Sequence, residues 1–359
     1  MEFGVMVATK IDDWQLLKEA EDLGYDRAWI PDSQMLWSDC YATLALVAHN
    51  TSRIHIGTGV AIPGTRLAPV TAHSIASINR IASGRVFLGV GTGHTAMRVM
   101  GMEPMRVPDF REYLRVVRTL LKGEEVEYAH NGVTRTIRFL HQDLEFINLH
   151  DPIPIYVAAN GPLALRAAAE YGDGLISVYT DRADGIREPL HAVQEHAARK
   201  GRTLPTPFHT ATATTAVVLK PGEKLTSERA IDECGSQVMA AVHFFYEIYQ
   251  QTKKEEVIPP AFANIWEPYC AHVKAMKTPE EKRYLQIHNG HCTFLMPDER
   301  RFVTPEAIRA TTIVGEPDEI IAQLRQAERA GLREVTLLPP REYSRKVFRD
   351  FATQVIKRY

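Results

Sequence analysis

Along the first 200 positions, short apolar runs rich in β-branched residues alternate with longer stretches whose apolar residues recur at helical spacing. That alternation is the signature of repeated strand–helix units wrapped around a parallel sheet. FGVMVA (3–8) predicts a strand, and 12–24 a helix closed by Gly24, where a left-handed cap comes at little cost. DRAWIP (26–31) predicts the second strand. The unit repeats as helix 38–49, strand 53–59, helix 70–83, strand 85–91 and helix 109–122, then as strand 153–158, helix 162–172, strand 174–179 and a helix over about 183–200. Pro162 suits a first helical turn, where its missing N–H would lack a partner anyway.

Two segments depart from this rhythm. Residues 124–140 alternate about the turn signal His130-Asn131-Gly132, which predicts a β-hairpin near 124–147 that covers part of the barrel. After the threonine-rich strand 209–219 comes a mainly helical insertion near 221–312. The repeat then resumes with helix 317–331, acidic in its first turn, and strand 333–339. Eight strands result, so the expected fold is an α/β, (β/α)8 TIM-type barrel forming a single domain over 1–359. No Pro/Ser/Gly-rich linker separates two halves, which disfavours a two-domain reading.

A formal net charge of -2 argues against a dedicated nucleic-acid or anionic-membrane surface and in favour of a small-molecule partner. No segment reaches the roughly 20 uninterrupted apolar residues that span a bilayer. Cys40, Cys234, Cys270 and Cys292 show no CxxC spacing, and the start MEFGVMVATK lacks a basic n-region and a long apolar h-region. The expectation is a reduced, cytoplasmic protein.

In a parallel barrel the chemistry gathers on the loops that follow the strands. Here those loops read Pro31-Asp32-Ser33, Gly57-Thr58-Gly59-Val60, Gly89-Val90-Gly91-Thr92-Gly93-His94 and Ala158-Ala159-Asn160-Gly161-Pro162. The last ends at a helix start, where unpaired N–H groups favour an anion and Gly161 allows close approach, which implies a phosphorylated cofactor. A plain strand-to-helix turn explains Asn160-Gly161 equally well. The glycine loop at 89–93 does not complete G-x-G-x-x-G, so a Rossmann assignment is weak. Its glycines, with Gly57 and Gly59, either let a flat ring lie against backbone or simply fill a tapering barrel.

Residues 39–93, IPIYVAANGPLALRAAAEYGDGLI (153–176) and IVGEPDEIIAQLRQAERAGLREVTLL (313–338) resemble the bacterial-luciferase-like superfamily of flavin- and deazaflavin-dependent oxidoreductases. The resemblance implies a ring cofactor at the barrel mouth, backed by a non-prolyl cis peptide at Gly59–Val60. It also implies a phosphate near Asn160, Gly161 and Ser177. The cofactor-binding candidates are thus Asp32, Thr58, Gly59, Val60, Gly91, Thr92, Ala159, Asn160, Gly161 and Ser177. Parts of the chain resemble the methylene-tetrahydromethanopterin reductase branch, which uses a deazaflavin coenzyme. Members of that branch often carry a carboxylate late in the first strand and an Asp-His pair after the second, whereas Met6 and Asp32-Ser33 stand here. On those departures the sequence favours a monooxygenase using reduced FMN and oxygen. The alternatives are a deazaflavin-dependent reductase or dehydrogenase and a non-catalytic flavin-binding barrel.

Such cofactors carry the difficult chemistry, leaving the protein to orient substrate, exclude water and move a proton. Histidine is the natural carrier, and His94, His288 and His291 are the catalytic candidates. His94 follows the fourth-strand glycine loop, and the other two lie in YLQIHNGHCTFL, which could fold back over the mouth. The alternatives are a polar loop residue for His94 and an oligomer contact for the insertion. H-x-x-H without further ligands is poor zinc evidence, so no metal is expected. The apolar run VHFFYEIYQ (242–250) reads as a packed helix face, or as the wall of a hydrophobic pocket. The resemblance further implies a homo-oligomer meeting through the second and third helices, and a separate flavin reductase is a possible partner.

Overall fold

A computed structural model describes residues 1–180 and 182–359. Eight strands close into a parallel barrel in chain order: Glu2–Met6, Arg27–Ile30, His55–Ala61, Val86–Val90, Ile155–Ala158, Gly174–Val178, His209–Thr214 and Glu334–Leu337. The last pairs with the first, with Glu2 opposite Glu334. Helices Gln15–Leu23, Cys40–Asn50, Ala68–Ile81, Val107–Leu121, Pro162–Tyr171, Arg187–Arg199 and Pro317–Arg329 occupy the predicted intervals. A further helix, Ser344–Gln354, completes the ring against the first, and the Tyr25 hydroxyl donates to the Phe348 carbonyl at 3.0 Å.

Side chains alternate across each strand, so one set meets the helices and the other fills the barrel. Outward-facing Val5, Ile30, Ile56, Leu88, Val157 and Val335 join the helices in one apolar core. Inside, Trp29, Phe87 and Tyr156 pack together, with Trp29 and Phe87 ring centres 4.4 Å apart. Gly57 and Gly89 exist to admit these rings. A Cβ at Gly57 would come within 2.4 Å of the Phe87 ring, and one at Gly89 within 2.8 Å of Trp29. Both glycines therefore serve barrel filling, one of the two readings open to the sequence. Below the rings, Arg27 joins Glu2 and Glu334 at 2.6 and 3.3 Å, and His209 pairs with Glu334 at 2.8 Å. This network closes the floor.

The hairpin forms from Val126–His130 and Val133–Ile137. It lies against the flank of helix Val107–Leu121, where Arg115 donates to the Glu127 carbonyl at 2.7 Å, rather than over the mouth. The predicted strand 209–219 divides at Thr215. Its second half, Ala216–Val218, leaves the barrel and pairs with Ile313–Gly315. Between these lies the helical insertion, built on the 25-residue helix Glu228–Thr252 with Ala263–Lys274, Arg283–Ile287 and Pro305–Thr311, around its own apolar cluster. Among the described residues no helix is long and apolar enough to cross a membrane.

Candidate functional site

The inward-facing residues shrink toward the carboxyl end of the barrel, leaving a cavity of about 630 Å³ at the rim. This size is ordinary for a cofactor or substrate site. Its wall comes from loops of very different sequence position. Met6 ends the first strand, Ser33 and Trp37 follow the second, and the fourth-strand loop supplies Gly91 to Ala96. The insertion adds Phe244 and Ile248 from helix Glu228–Thr252, and His291 with Cys292 from the segment after helix Arg283–Ile287.

Third-strand residues bulge where they reach the rim. The pairing register with the fourth strand shifts between Thr58 and Ala61, and the Gly59–Val60 peptide is cis, as the resemblance implies. Gly59 and Val60 both line the cavity. Asp32 and Thr58 stand behind it instead. The Asp32 carboxylate accepts the Ile62 N–H at 3.1 Å and a Gln34 side-chain N–H at 2.6 Å, and burial pushes its pKa up. Thr58 points away from the barrel interior and donates to the Gly89 carbonyl at 2.6 Å. Both residues hold the bulge rather than its occupant.

Ala159, Asn160 and Gly161 line the far side, where helix Pro162–Tyr171 begins. Among the described residues no side chain caps this helix, so its first N–H groups and dipole are left to face the cavity. Gly161 has an ordinary extended backbone, with φ -91°, and a Cβ there would meet nothing within 4 Å. An anion such as a phosphate fits that space with full access to the helix start. The Asn160 side-chain oxygen accepts the Val178 N–H at 3.3 Å, tying this loop to the sixth strand. Ser177 faces the other way, into a separate space of about 60 Å³ bounded by Thr212, Leu324 and Leu332.

His94 opens the short helix His94–Arg98 with its ring exposed to the cavity, edge-on to Phe244 at 5.4 Å. Enclosure by the cavity walls and then the Arg98 charge lower its pKa, while Glu247 and Glu103 oppose the shift. Thr92 lies beside it. His291 meets the cavity with one edge only. Burial, followed by the neighbouring His288 and His243, pushes it down to about 3. His288 does not reach the cavity wall: its Nε2 pairs with Glu247 at 2.8 Å, and Glu247 in turn meets the Arg98 guanidinium at 3.3 Å. The two histidines thus divide, one at the wall and one behind it. Burial pushes the Cys292 thiol up to about 12, so it remains protonated and unreactive.

Trp37 and Leu338 are wall residues that the sequence reading does not single out, whereas Phe244 and Ile248 fall in the run 242–250. Phe244 and Ile248 share one face of the helix by their i, i+4 spacing, while Val242, Phe245 and Tyr249 on other faces pack into the insertion core. The run 242–250 is therefore both packed face and pocket wall.

A sequence model of luciferase-like monooxygenases matches residues 1–334. Among curated proteins, a 5,10-methylenetetrahydromethanopterin reductase of Methanolobus tindarius is 37% identical over 163 residues, 44% of this chain and 47% of the relative. An F420-dependent glucose-6-phosphate dehydrogenase of Kineococcus radiotolerans is 35% identical over 208 residues, 52% of this chain and 58% of the relative. The chain thus spans about half the length of the curated relatives it matches. The structure of the coenzyme F420-dependent tetrahydromethanopterin reductase of Methanopyrus kandleri superposes with a TM-score of 0.68 at 21% identity, over 100% of this chain and 99% of that one.

Proposed function

Because the chain belongs to the luciferase-like monooxygenase family, we propose that it is an oxidoreductase that binds a phosphorylated deazaflavin coenzyme in the rim cavity and transfers a hydride to or from a small organic molecule. The observation that carries this reading is the cavity itself, bounded by the Gly59–Val60 bulge on one side and by an uncapped helix start with open space at Gly161 on the other. The F420-dependent relative at 35% identity supports the deazaflavin form.

When bound, such a coenzyme supplies or accepts the hydride. The chain's own residues do the rest. Gly161 and the first N–H groups of helix Pro162–Tyr171 would receive the phosphate, while Gly59, Val60, Gly91, Thr92, Ala159 and Asn160 would meet the ring-bearing part. Met6, Ile62, Phe244, Ile248 and Leu338 exclude water. His94, neutral and accessible, is placed to accept the proton that accompanies oxidation of an alcohol-like group.

Reduced FMN with oxygen, the reading the sequence alone favours, remains the second one. Met6 and Ser33 both line the cavity, so it has neither a first-strand carboxylate nor a histidine after Asp32. Fluorescence titration of the full chain with F420 and with FMN decides between them. Tighter F420 binding is expected, and Gly161→Val should weaken it at least about tenfold without lowering the unfolding temperature, because the backbone there tolerates a side chain. Tighter FMN binding would transfer the assignment to the second reading, and no binding of either would discard both.

A further inference from the structure

We infer that the cavity takes an uncharged organic substrate through one oxygen atom, and that the group holding this oxygen is the Nε2–H of His291. The inference names the substrate class for the redox reading above and rests on it. His291 is delivered to the rim by a stapled segment. The Trp37 indole N–H donates to the Thr293 hydroxyl at 2.9 Å, and the Arg341 N–H donates to the Thr293 carbonyl at 2.9 Å. The imidazole lies beside Trp37, with ring centres 6.4 Å apart and an interplanar angle of 30°.

The two ring nitrogens differ. Nδ1 is buried with no partner among the described residues, so the nitrogen left toward the cavity is Nε2. A neutral imidazole carries a single N–H. Placed on Nδ1, that proton would leave a buried donor unpaired, whereas a buried lone pair is the lesser penalty. The proton therefore belongs on Nε2, facing the cavity. His288 does not change this, since its Nε2 is engaged by Glu247 at 2.8 Å and its Nδ1 makes no hydrogen bond to His291. Burial and the two neighbouring imidazoles keep His291 neutral near neutral pH, so it offers a hydrogen bond and does not act as a proton shuttle.

The remaining wall decides the charge of the ligand. Among the described residues lining the cavity there is no Lys, Arg, Asp or Glu. Ser33, Thr92 and Asn160 add polarity, but no ionic partner waits for a charged substrate. An anion held away from the helix start would lose its hydration without compensation, whereas a ketone, aldehyde or alcohol needs only one donor.

Two measurements test this on the full chain. Histidine nitrogen NMR, with His291→Phe to assign the signal, should report the Nε2–H tautomer unchanged from about pH 5 to pH 8. A titration within that range, or an Nδ1–H tautomer, would overturn the proposal. Cyclohexanone, cyclohexanecarboxylate and methylcyclohexane are then titrated as matched probes, with saturating F420 or FMN and, without cofactor, on the Gly161→Val chain, whose helix start is closed to anions. The ketone should bind about tenfold or more tightly than the other two. His291→Phe should remove that advantage while leaving methylcyclohexane unaffected, and His291→Gln, which retains an N–H donor, should restore part of it. A carboxylate that binds as well as the ketone, or a ketone indifferent to His291→Phe, sinks the inference. Neither measurement requires turnover, so failure of both cofactors to bind would be read separately.

Discussion

His94 and His291 share a cavity but differ in what surrounds each nitrogen, and that difference assigns their roles. His94 is open to the cavity, and the Arg98 guanidinium acts on it after the general cost of enclosure. Its folded pKa lies below the ordinary histidine value, so the base form predominates near neutrality and is lost as pH falls through that folded value. Arg98→Met should raise the His94 midpoint, followed by NMR, because the Glu247 and Glu103 charges are then no longer offset by the guanidinium, although burial still acts. The acid limb of kcat/KM should rise with it. A midpoint that stays or falls would contradict the charge argument. At this same scale, the sequence shows which residues follow a strand but not which way each one points. Gly59, Val60, Gly91, Thr92, His94, Ala159, Asn160 and Gly161 reach the cavity. Thr58 and Ser177 are one pleat out of phase, and Asp32 is turned away from the cavity to hold the Ile62 N–H.

Elements are held to one another by a few buried polar groups, of which Glu21 is the clearest. It sits on helix Gln15–Leu23, and one carboxylate oxygen accepts the N–H groups of Ser52, Arg53 and Ile54 at 2.8, 2.6 and 3.0 Å. Burial alone would raise its pKa, yet these three donors and Lys18 hold it down to about 2. The stabilisation is present above the unfolded carboxylate value and disappears as pH falls from about 4.5 toward 2. Glu21→Ala should cost about 3 kcal/mol in denaturant unfolding at neutral pH, and the difference from the native chain should shrink in acid. A cost that does not change between neutral pH and pH 2 would mean packing, not the carboxylate, is responsible. Elements with long periodic patterns were the legible ones. Helix Ser344–Gln354 carries a readable stripe in Val347, Phe348, Phe351 and Ala352, but it lies beyond the eighth strand, where strand counting stops. The five-residue helix His94–Arg98 is too short for periodicity to reveal. Thr215 splits one alternating run between two sheets, a choice that depends on a partner strand about a hundred residues away.

For the whole molecule, the question is why the site lies at one end of the barrel only. The amino end is sealed by charge. Glu334 is fully buried, accepts the Trp29 indole N–H at 2.6 Å and the Thr336 hydroxyl at 2.5 Å, and pairs with His209 and Arg27. Burial favours its protonation, but these partners outweigh it and keep it ionised. Glu2, His209 and Glu334 place ligand atoms within 4.8 Å of one another, a spacing that could hold a metal ion. The Arg27 guanidinium already stands between the two carboxylates, and its Cζ lies 5.5 and 5.6 Å from the centres of the Phe87 and Tyr156 rings that fill the barrel above. The resident cation is therefore a side chain, and the cluster works as a structural plug. Removing one partner of such a buried network strands the others, so Glu334→Gln should destabilise the fold by about 3 to 5 kcal/mol. Cofactor affinity at the rim should not change, since Trp29 and Phe87 fill the barrel between the two ends. Zinc and EDTA should both leave the unfolding temperature of the native chain where it is. A rise with zinc would show that metal can displace Arg27, and a loss of cofactor affinity in Glu334→Gln would show that floor and rim are coupled through the aromatic filling.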